Sequence, residues 1–164
     1  MNPIRVSLFS GLVTIAACAS PPPDEVYVEV HRIGLFDARG TEIGAHNMPQ
    51  NRFLEVNRRR FIKEAHEIPA VLGTRFGVTF KLTSKPPRSE VRLDVVMNTP
   101  PITNPQTGET LSTSKYSRTF LTNRKRTVDY GFDRDWELAP GTWTLQLIHE
   151  EAIIFETDFV VVSP

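Results

Sequence analysis

From about residue 26 onward, apolar and polar residues alternate along the chain with a period of two. Each of the clearest alternating stretches begins at an apolar residue, namely Val26, Phe76, Val91, Trp143 and Ile154. Successive side chains of a strand point to opposite faces, so this period predicts half-buried β-strands. A further strand is predicted from about residue 59, although the charged residues of Phe53–Glu67 leave a helix as the alternative.

Residues that favour turns separate these strands at short intervals. They lie in the segments Pro69–Gly73, Lys85–Pro87, Asn98–Gly108 and Ala139–Gly141. The segment Asp37–Asn51 contains Gly40, Gly44 and Pro49, and it is predicted to be a loop. Short strands separated in this way favour two packed sheets over alternating α/β units. The fold class predicted is therefore all-β, an antiparallel sandwich of about 7–8 strands in one domain over residues 26–164.

The first residues have a different pattern, a short apolar segment that ends at the single cysteine of the chain. Val6–Ala17 is apolar or small and follows Arg5. It is too short to cross a hydrocarbon layer of ~30 Å as a helix, but it has the length of a signal-peptide core. The residues Ile15-Ala16-Ala17-Cys18 resemble the lipobox of bacterial lipoproteins. This resemblance implies a signal peptide over residues 1–17 and a lipid on Cys18; the alternative is an ordinary leader with an unmodified cysteine.

The same resemblance implies where the protein resides. Stable anchoring needs two or more acyl chains, since a single chain binds a membrane only marginally. Residues 18–25 include Pro21-Pro22-Pro23 and are predicted to form a short, stiff tether with a reach of about 20 Å. By the sorting rule of such lipoproteins, Ala19 after the cysteine implies the outer membrane. We therefore expect an exported protein, lipid-anchored and facing the periplasm.

The charge balance argues against nucleic acid as a partner. The chain has 19 basic and 19 acidic residues, for a formal net charge of zero, whereas a nucleic-acid binder normally has a clear positive excess. The runs Arg58–Arg60 and Arg124–Arg126 could contact phosphate or lipid headgroups, but they are interpreted as solvated strand or turn.

No pattern in the sequence predicts catalysis. There is no Gly-x-Ser-x-Gly elbow, and the acidic pairs Glu150-Glu151 and Asp133/Asp135 lie in turn-like segments where solvation is the usual role. The chain has four histidines, His31, His46, His66 and His149, and none has the spacing of a zinc site. His31, His66 and His149 lie on different predicted strands and could still meet. We therefore predict a protein that is not an enzyme, with no catalytic residue, metal or cofactor.

One segment is a candidate binding surface. Between residues 130 and 136, aromatic side chains alternate with acids and an arginine, and Tyr130, Arg134 and Trp136 could stack on a sugar or clamp a peptide. The alternative is a strand on which Tyr130, Phe132 and Trp136 pack inward while the charged residues face water.

Several motifs together resemble a bacterial family of secreted proteins. They are Ile68-Pro69-Ala70 followed by Gly73–Gly77, Thr103–Pro105, Trp136–Leu138 and Pro140–Trp143. The family is known only as a domain of unknown function with an immunoglobulin-like fold, and the resemblance covers roughly residues 26–162. It implies an immunoglobulin-like sandwich in which Trp143, on strand F, points inward and Ile153–Val162 pairs beside it as strand G. It implies no activity.

Three functional hypotheses remain. The first is an uncharacterised lipoprotein that acts as a non-catalytic module of the cell envelope and binds a protein or glycan partner near the membrane. The second is an envelope hydrolase without a recognisable motif. The third is a subunit of a larger lipoprotein assembly that offers an edge strand for β-augmentation.

Overall fold

The computed structural model describes the backbone of residues 25–44 and 52–164, and the side chains of residues 25–37 and 59–164. The signal peptide, Cys18, most of the tether and His46 lie outside these residues. The described residues form nine strands and one short 3₁₀ helix. In chain order these are β1 (Glu25–Gly44), β2 (Arg52–Glu64), β3 (Glu67–Pro69), β4 (Arg75–Lys85), β5 (Glu90–Thr103), β6 (Thr110–Leu121), β7 (Lys125–Gly131), the 3₁₀ helix (Asp135–Glu137), β8 (Gly141–His149) and β9 (Ala152–Val162).

The strands form two sheets. Sheet A has the order β2-β1-β4-β7, and sheet B has the order β3-β9-β8-β5-β6. All neighbouring strands are antiparallel except β3 and β9, which are parallel. This confirms the all-β two-sheet sandwich predicted from the alternating pattern. The described residues contain nine strands rather than about 7–8. One of them is the three-residue β3, which ends at Pro69, the first residue of the predicted turn Pro69–Gly73.

The β1–β2 hairpin corrects two predictions. β1 continues to Gly44 and β2 begins at Arg52, not near residue 59. The predicted loop is therefore wrong for Asp37–Gly44, and its remainder lies outside the described residues. Beyond Phe36, β1 pairs with β2 alone, because the last pair between β1 and β4 is Phe36 with Arg75. A two-stranded ribbon that extends past its sheet does not need the apolar alternation of a half-buried strand, which is why the pattern missed it.

The predicted loop over Asn98–Gly108 is also shorter than expected. β5 continues to Thr103 through an irregularity between Asn98 and Ile102, the region that contains Pro100 and Pro101. Proline has no backbone N–H to donate. It is tolerated here because the hydrogen-bond ladder is already interrupted at this irregularity. The turn itself begins at Asn104, whose N–H donates to the carbonyl of Glu109 over 2.8 Å.

The aromatic core confirms the prediction for Trp143. Its side chain has no exposed surface, and its ring centroid lies 4.9 Å from Tyr130, 5.4 Å from Phe132 and 5.8 Å from Phe76. β9 pairs antiparallel beside β8, as expected for the last two strands. Most of the remaining core residues occupy inward positions of β4, β5, β8 and β9, whose alternation is visible in the sequence.

The two ends of the sandwich carry different features. At the proximal end, β1 begins with Glu25 paired to Lys85, next to the β4–β5 and β6–β7 turns. At the distal end lie the last residues of β5, the first residues of β6 and the 3₁₀ helix. From Glu90 to Thr99, β5 spans about 30 Å at ~3.3 Å per residue. The predicted tether thus joins the domain at the end opposite the 3₁₀ helix.

Candidate functional site

A depression at the distal end is the candidate binding site. It is shallow and open, and its empty volume of about 280 Å³ includes part of the surrounding solvent. We call it the distal depression, and seven residues from β5, β6, β7 and the 3₁₀ helix line it: Thr99, Ile102, Leu111, Thr113, Ser114, Tyr130 and Trp136. Two aromatic and two aliphatic side chains thus meet the side chains of two threonines and one serine in one concave surface.

The depression brings together two of the three residues predicted as a binding surface. Tyr130 and Trp136 both line it and are half-buried, whereas Arg134 is exposed and does not line it. The alternative reading, in which the aromatic residues pack inward, describes Phe132, which is fully buried. Tyr130 has both roles, because its ring also contacts the ring of Trp143 in the core.

The segment that carries Trp136 is fixed on both sides. Before it, the N–H of Phe132 donates to the carbonyl of Thr74 over 3.0 Å, which holds the end of β7 against the start of β4. After it, the indole Nε1 of Trp143 donates to the carbonyl of Ala139 over 2.9 Å. The wall of the distal depression is therefore attached to the core rather than carried on a long loop.

The buried carboxyl of Glu137 also holds the segment that carries Trp136, and no sequence motif predicted it. Glu137 has no exposed surface. Its Oε2 accepts hydrogen bonds from the N–H groups of Asp133 and Arg134, at 2.8 and 3.1 Å, and its Oε1 has no partner among the described residues. Burial raises the pKa of Glu137 to about 7, although the two backbone hydrogen bonds oppose the increase. The only signal in the sequence was an acid between Trp136 and Leu138.

Glu137 makes the stability of the domain depend on pH. A carboxyl whose pKa is raised on folding stabilises the folded state fully below its unfolded pKa of ~4.3, and this contribution is lost as the pH rises through about 7. We expect the free energy of unfolding to fall by roughly 1 to 3 kcal/mol between pH 4.5 and 8. In Glu137→Gln, whose amide oxygen can accept the same two N–H groups, this decrease should disappear. Urea unfolding at several pH values measures both proteins; an equal decrease in the variant would assign the effect to another group.

An ion-pair network lies beside the depression and reaches several strands. The side chain of Asp129 has no exposed surface and is paired with Arg59 and with Arg75, whose Nε lies 2.9 Å from Oδ2. Arg75 also lies 3.4 Å from Asp133. The guanidinium of Arg75 fits over Gly131, where a Cβ would lie 2.4 Å from its Nη1. The network therefore joins β2, β4 and β7 at the end of the strand that carries Tyr130.

This network refines the interpretation of the basic run in β2. The side chain of Arg59 is 31% exposed, and its guanidinium also reaches Asp129 on β7. Arg60 is exposed and pairs with Asp37 over 3.4 Å, as a solvated strand residue would. The side chain of Arg58 lies outside the described residues.

Two of the described histidines each contact a backbone carbonyl oxygen. His66 Nδ1 lies 2.8 Å from the carbonyl oxygen of Asp158, and His149 Nδ1 lies 3.1 Å from that of Arg92. In the described part of the chain, no group of three or more His, Cys, Asp or Glu side chains could hold a metal ion. None of the described helices is long and apolar enough to cross a membrane.

Two facing sheets around an aromatic core, with the Pro-Gly turn before the penultimate strand, define an immunoglobulin-like β-sandwich domain. Residues 25–161 match the family model of DUF3859, a domain of unknown function. The chain belongs to this family, which confirms the resemblance drawn from its motifs.

One solved structure shows the same fold. The chain is similar to the immunoglobulin-like protein PA1606 from Pseudomonas aeruginosa, with 22% identity and a TM-score of 0.63 over 84% of this chain and 97% of that one. A more distant likeness, with 9% identity and a TM-score of 0.38, covers 84% of this chain and 16% of a β-glucosidase from Listeria innocua. A search of curated proteins found no match.

Proposed function

We propose that this protein is a non-catalytic binding module of the cell envelope, exported and anchored by a lipid on Cys18 to the periplasmic face of the outer membrane. The observation that carries the proposal is the position of the distal depression. It opens about 30 Å from the end at which the tether would join β1, so a partner could reach it while the protein is anchored.

The lining of the depression favours a protein partner over a glycan. Its floor and walls are mainly apolar, formed by Ile102, Leu111, Tyr130 and Trp136. An apolar side chain of a partner would be desolvated there, whereas the hydroxyl groups of a sugar would find only a few polar partners. Half-buried aromatic residues in such depressions are frequent anchors of protein interfaces.

The neighbouring strand suggests how the partner binds. β6 is an edge strand that pairs with β5 alone among the described residues. Most of its twelve residues are exposed, and Leu111, Thr113 and Ser114 at its start line the depression. An extended segment of the partner can hydrogen bond along β6 and place one apolar side chain in the depression. This mode also suits a subunit of a lipoprotein assembly.

The burial of the Glu137 carboxyl supports a binding function over a hydrolase. Glu137 has the pKa that a general acid needs near neutral pH, but its carboxyl has no exposed surface and is engaged by backbone N–H groups. A substrate would have to displace the segment that carries Trp136 to reach it. We therefore assign Glu137 a structural role.

Photo-crosslinking in intact cells tests the proposal. A benzophenone amino acid at Thr113 of the full chain is expected to capture one envelope protein, and Trp136→Ala should reduce the yield about tenfold or more. The control variant is Leu72→Ala, which removes an exposed apolar side chain that does not line the depression, and the control crosslinking position is exposed Thr142. Identical products from both positions, or a yield unaffected by Trp136→Ala, would contradict the proposal. Glycan bound only by the chain with Trp136 would make the depression a sugar site.

A further inference from the structure

A group of basic side chains lies at the proximal end of the sandwich, where β1 begins. We call Lys85, Arg88, Arg124 and Lys125 the proximal basic patch, and all four residues are exposed. Lys85 is the partner of Glu25 in the β1–β4 ladder, and Lys125 is the partner of Lys81 at the start of β7. The patch therefore surrounds the point at which the chain enters the domain.

The two turns that carry the patch are bonded to each other. The N–H of Thr122 donates to the carbonyl of Ser89 over 2.9 Å, and its buried hydroxyl donates to the carbonyl of Arg88. The N–H of Asn123 donates to the carbonyl of Leu82 over 2.8 Å. Because these bonds join the β4–β5 and β6–β7 turns, the basic residues are presented on one platform rather than on separate loops.

The surroundings of the patch are amphipathic. Tyr27 and Leu121 are 44% and 36% exposed, and Pro86 and Pro87 are exposed in the β4–β5 turn. The ammonium of Lys85 lies 5.5 Å from the ring centroid of Tyr27. Cationic side chains next to exposed rings and prolines are suited to the boundary between headgroups and acyl chains.

The negative charges at this end are arranged unevenly. The β8–β9 turn of sheet B carries Glu150 and Glu151, both exposed. On the side of β1 and β4, the acids near the patch are Glu25, Glu29 and Glu90. Glu25 accepts a hydrogen bond from the hydroxyl of Tyr27, and Glu29 pairs with Lys81, the ladder partner of Lys125. The excess of positive charge thus lies on the side of the end from which the tether would leave.

We propose that the proximal basic patch docks on anionic phospholipid headgroups, so that the anchored sandwich stands on the membrane with the distal depression pointing away from it. This inference rests on the proposed lipid anchor. A tether with a reach of about 20 Å keeps the patch close to the headgroups, so a weak electrostatic attraction is enough to orient the domain. Lysine and arginine near an anionic leaflet supply such an attraction, and arginine can bind a phosphate through two hydrogen bonds.

Fluorescence quenching in vesicles tests the orientation. Full mature chains carrying Pro87→Cys at the proximal end or Gln106→Cys at the distal end are labelled with a fluorophore. They are then reconstituted in vesicles that contain a headgroup-linked quencher, made of phosphatidylcholine with or without phosphatidylglycerol. Adding phosphatidylglycerol should increase quenching of the probe at position 87 about fivefold and leave the probe at position 106 unchanged. Equal responses of the two probes would overturn the proposal.

Matched charge variants separate the patch from net charge. Neutralising Lys85, Arg124 and Lys125 to glutamine should abolish the response to phosphatidylglycerol. Neutralising Arg60, Lys63 and Lys115, which lie on β2 and β6 away from this end, should leave the response intact. Loss of the response in both variants, or in neither, contradicts docking through the patch, provided that urea unfolding shows both variants folded.

The wild-type chain distinguishes failure of the anchor from failure of docking. A lipidated Cys18 takes up no thiol label, so labelling of the wild-type protein would refute the anchor. In that case the protein labelled at position 87 would be added to vesicles with and without phosphatidylglycerol. If its quenching were the same in both, docking would be refuted as well. An anchored protein whose probe at position 87 ignores phosphatidylglycerol refutes docking alone.

Discussion

Replacing Trp143 by alanine is expected to lower the free energy of unfolding by about 3 to 5 kcal/mol. The indole has no exposed surface and contacts the rings of Phe76, Tyr130 and Phe132. Phe76 and Tyr130 belong to sheet A and Trp143 to sheet B, so the cavity cannot close unless the sheets move toward each other. The substitution also removes the donor to the carbonyl of Ala139. Equilibrium unfolding in urea or guanidinium measures the loss.

The matched control for this variant is the second tryptophan. Trp136 is half-buried in the wall of the distal depression, so Trp136→Ala should cost only about 1 to 2 kcal/mol, in proportion to the smaller area that it buries. Equal costs for the two variants would mean that Trp143 is not the centre of the core. The comparison also shows whether Trp136→Ala, which tests partner binding, leaves the fold intact.

Replacing Asp129 by asparagine is expected to lower the free energy of unfolding by about 2 to 4 kcal/mol. The substitution preserves the shape of a side chain with no exposed surface but removes the negative charge that faces Arg59 and Arg75. Arg75 is only 12% exposed, so its charge would remain largely desolvated and without its main partner. The partial exposure of Arg59 keeps the cost below that of a completely buried pair.

A surface ion pair serves as the control for Asp129. Glu29 pairs with Lys81 on the same sheet but is 54% exposed, so Glu29→Gln should leave the free energy of unfolding nearly unchanged. If the two variants cost the same in urea unfolding at neutral pH, the Asp129 network contributes no more than a surface pair does. A large loss of stability in Asp129→Asn alone would show that the ion pair between Asp129 and Arg59 holds the β1–β2 hairpin to β7, the edge strand of sheet A.

The two proposals assign different functions to the two ends of the domain. The proximal basic patch lies where the tether would join β1, and the distal depression lies at the opposite end of β5 and β6. Docking of one end on lipid would present the other end to a partner in the periplasm. The two experiments have different readouts, a crosslinked protein and a lipid-dependent quenching, so either proposal can fail without the other.

The sequence predicted the candidate site in part. Two aromatic residues, Tyr130 and Trp136, were recognised from their unusual neighbours, but Arg134 was grouped with them because it is adjacent in the chain. The other residues that line the depression come from β5 and β6, and nothing in their local pattern points to a site. In the sequence, Glu137 appeared only within the Trp136–Leu138 motif, because its burial depends on the backbone N–H groups that the fold brings to its carboxyl.

The local pattern was informative wherever one face of a strand is buried. The alternation in β4, β5, β8 and β9 predicted the strands of the core, and the Pro-Gly turn correctly placed Trp143 inside it. The alternation of apolar and polar residues did not predict β6. This strand has few apolar residues because an exposed edge strand buries little surface. The pattern was also wrong for Asp37–Gly44, which is held by pairing with β2 alone.

By itself, the sequence determined the all-β class, the family and the inward position of Trp143, since these depend on side-chain periodicity and on short motifs. Only the tertiary structure decided which residues meet at the distal depression, that Arg59 reaches Asp129 across sheet A, and that the β4–β5 and β6–β7 turns form one basic platform. The physical reason is that periodicity reports whether a residue faces the core or water, whereas a site is made by contacts between strands that are far apart in the chain. Such contacts are set by sheet order and register, which no local pattern encodes.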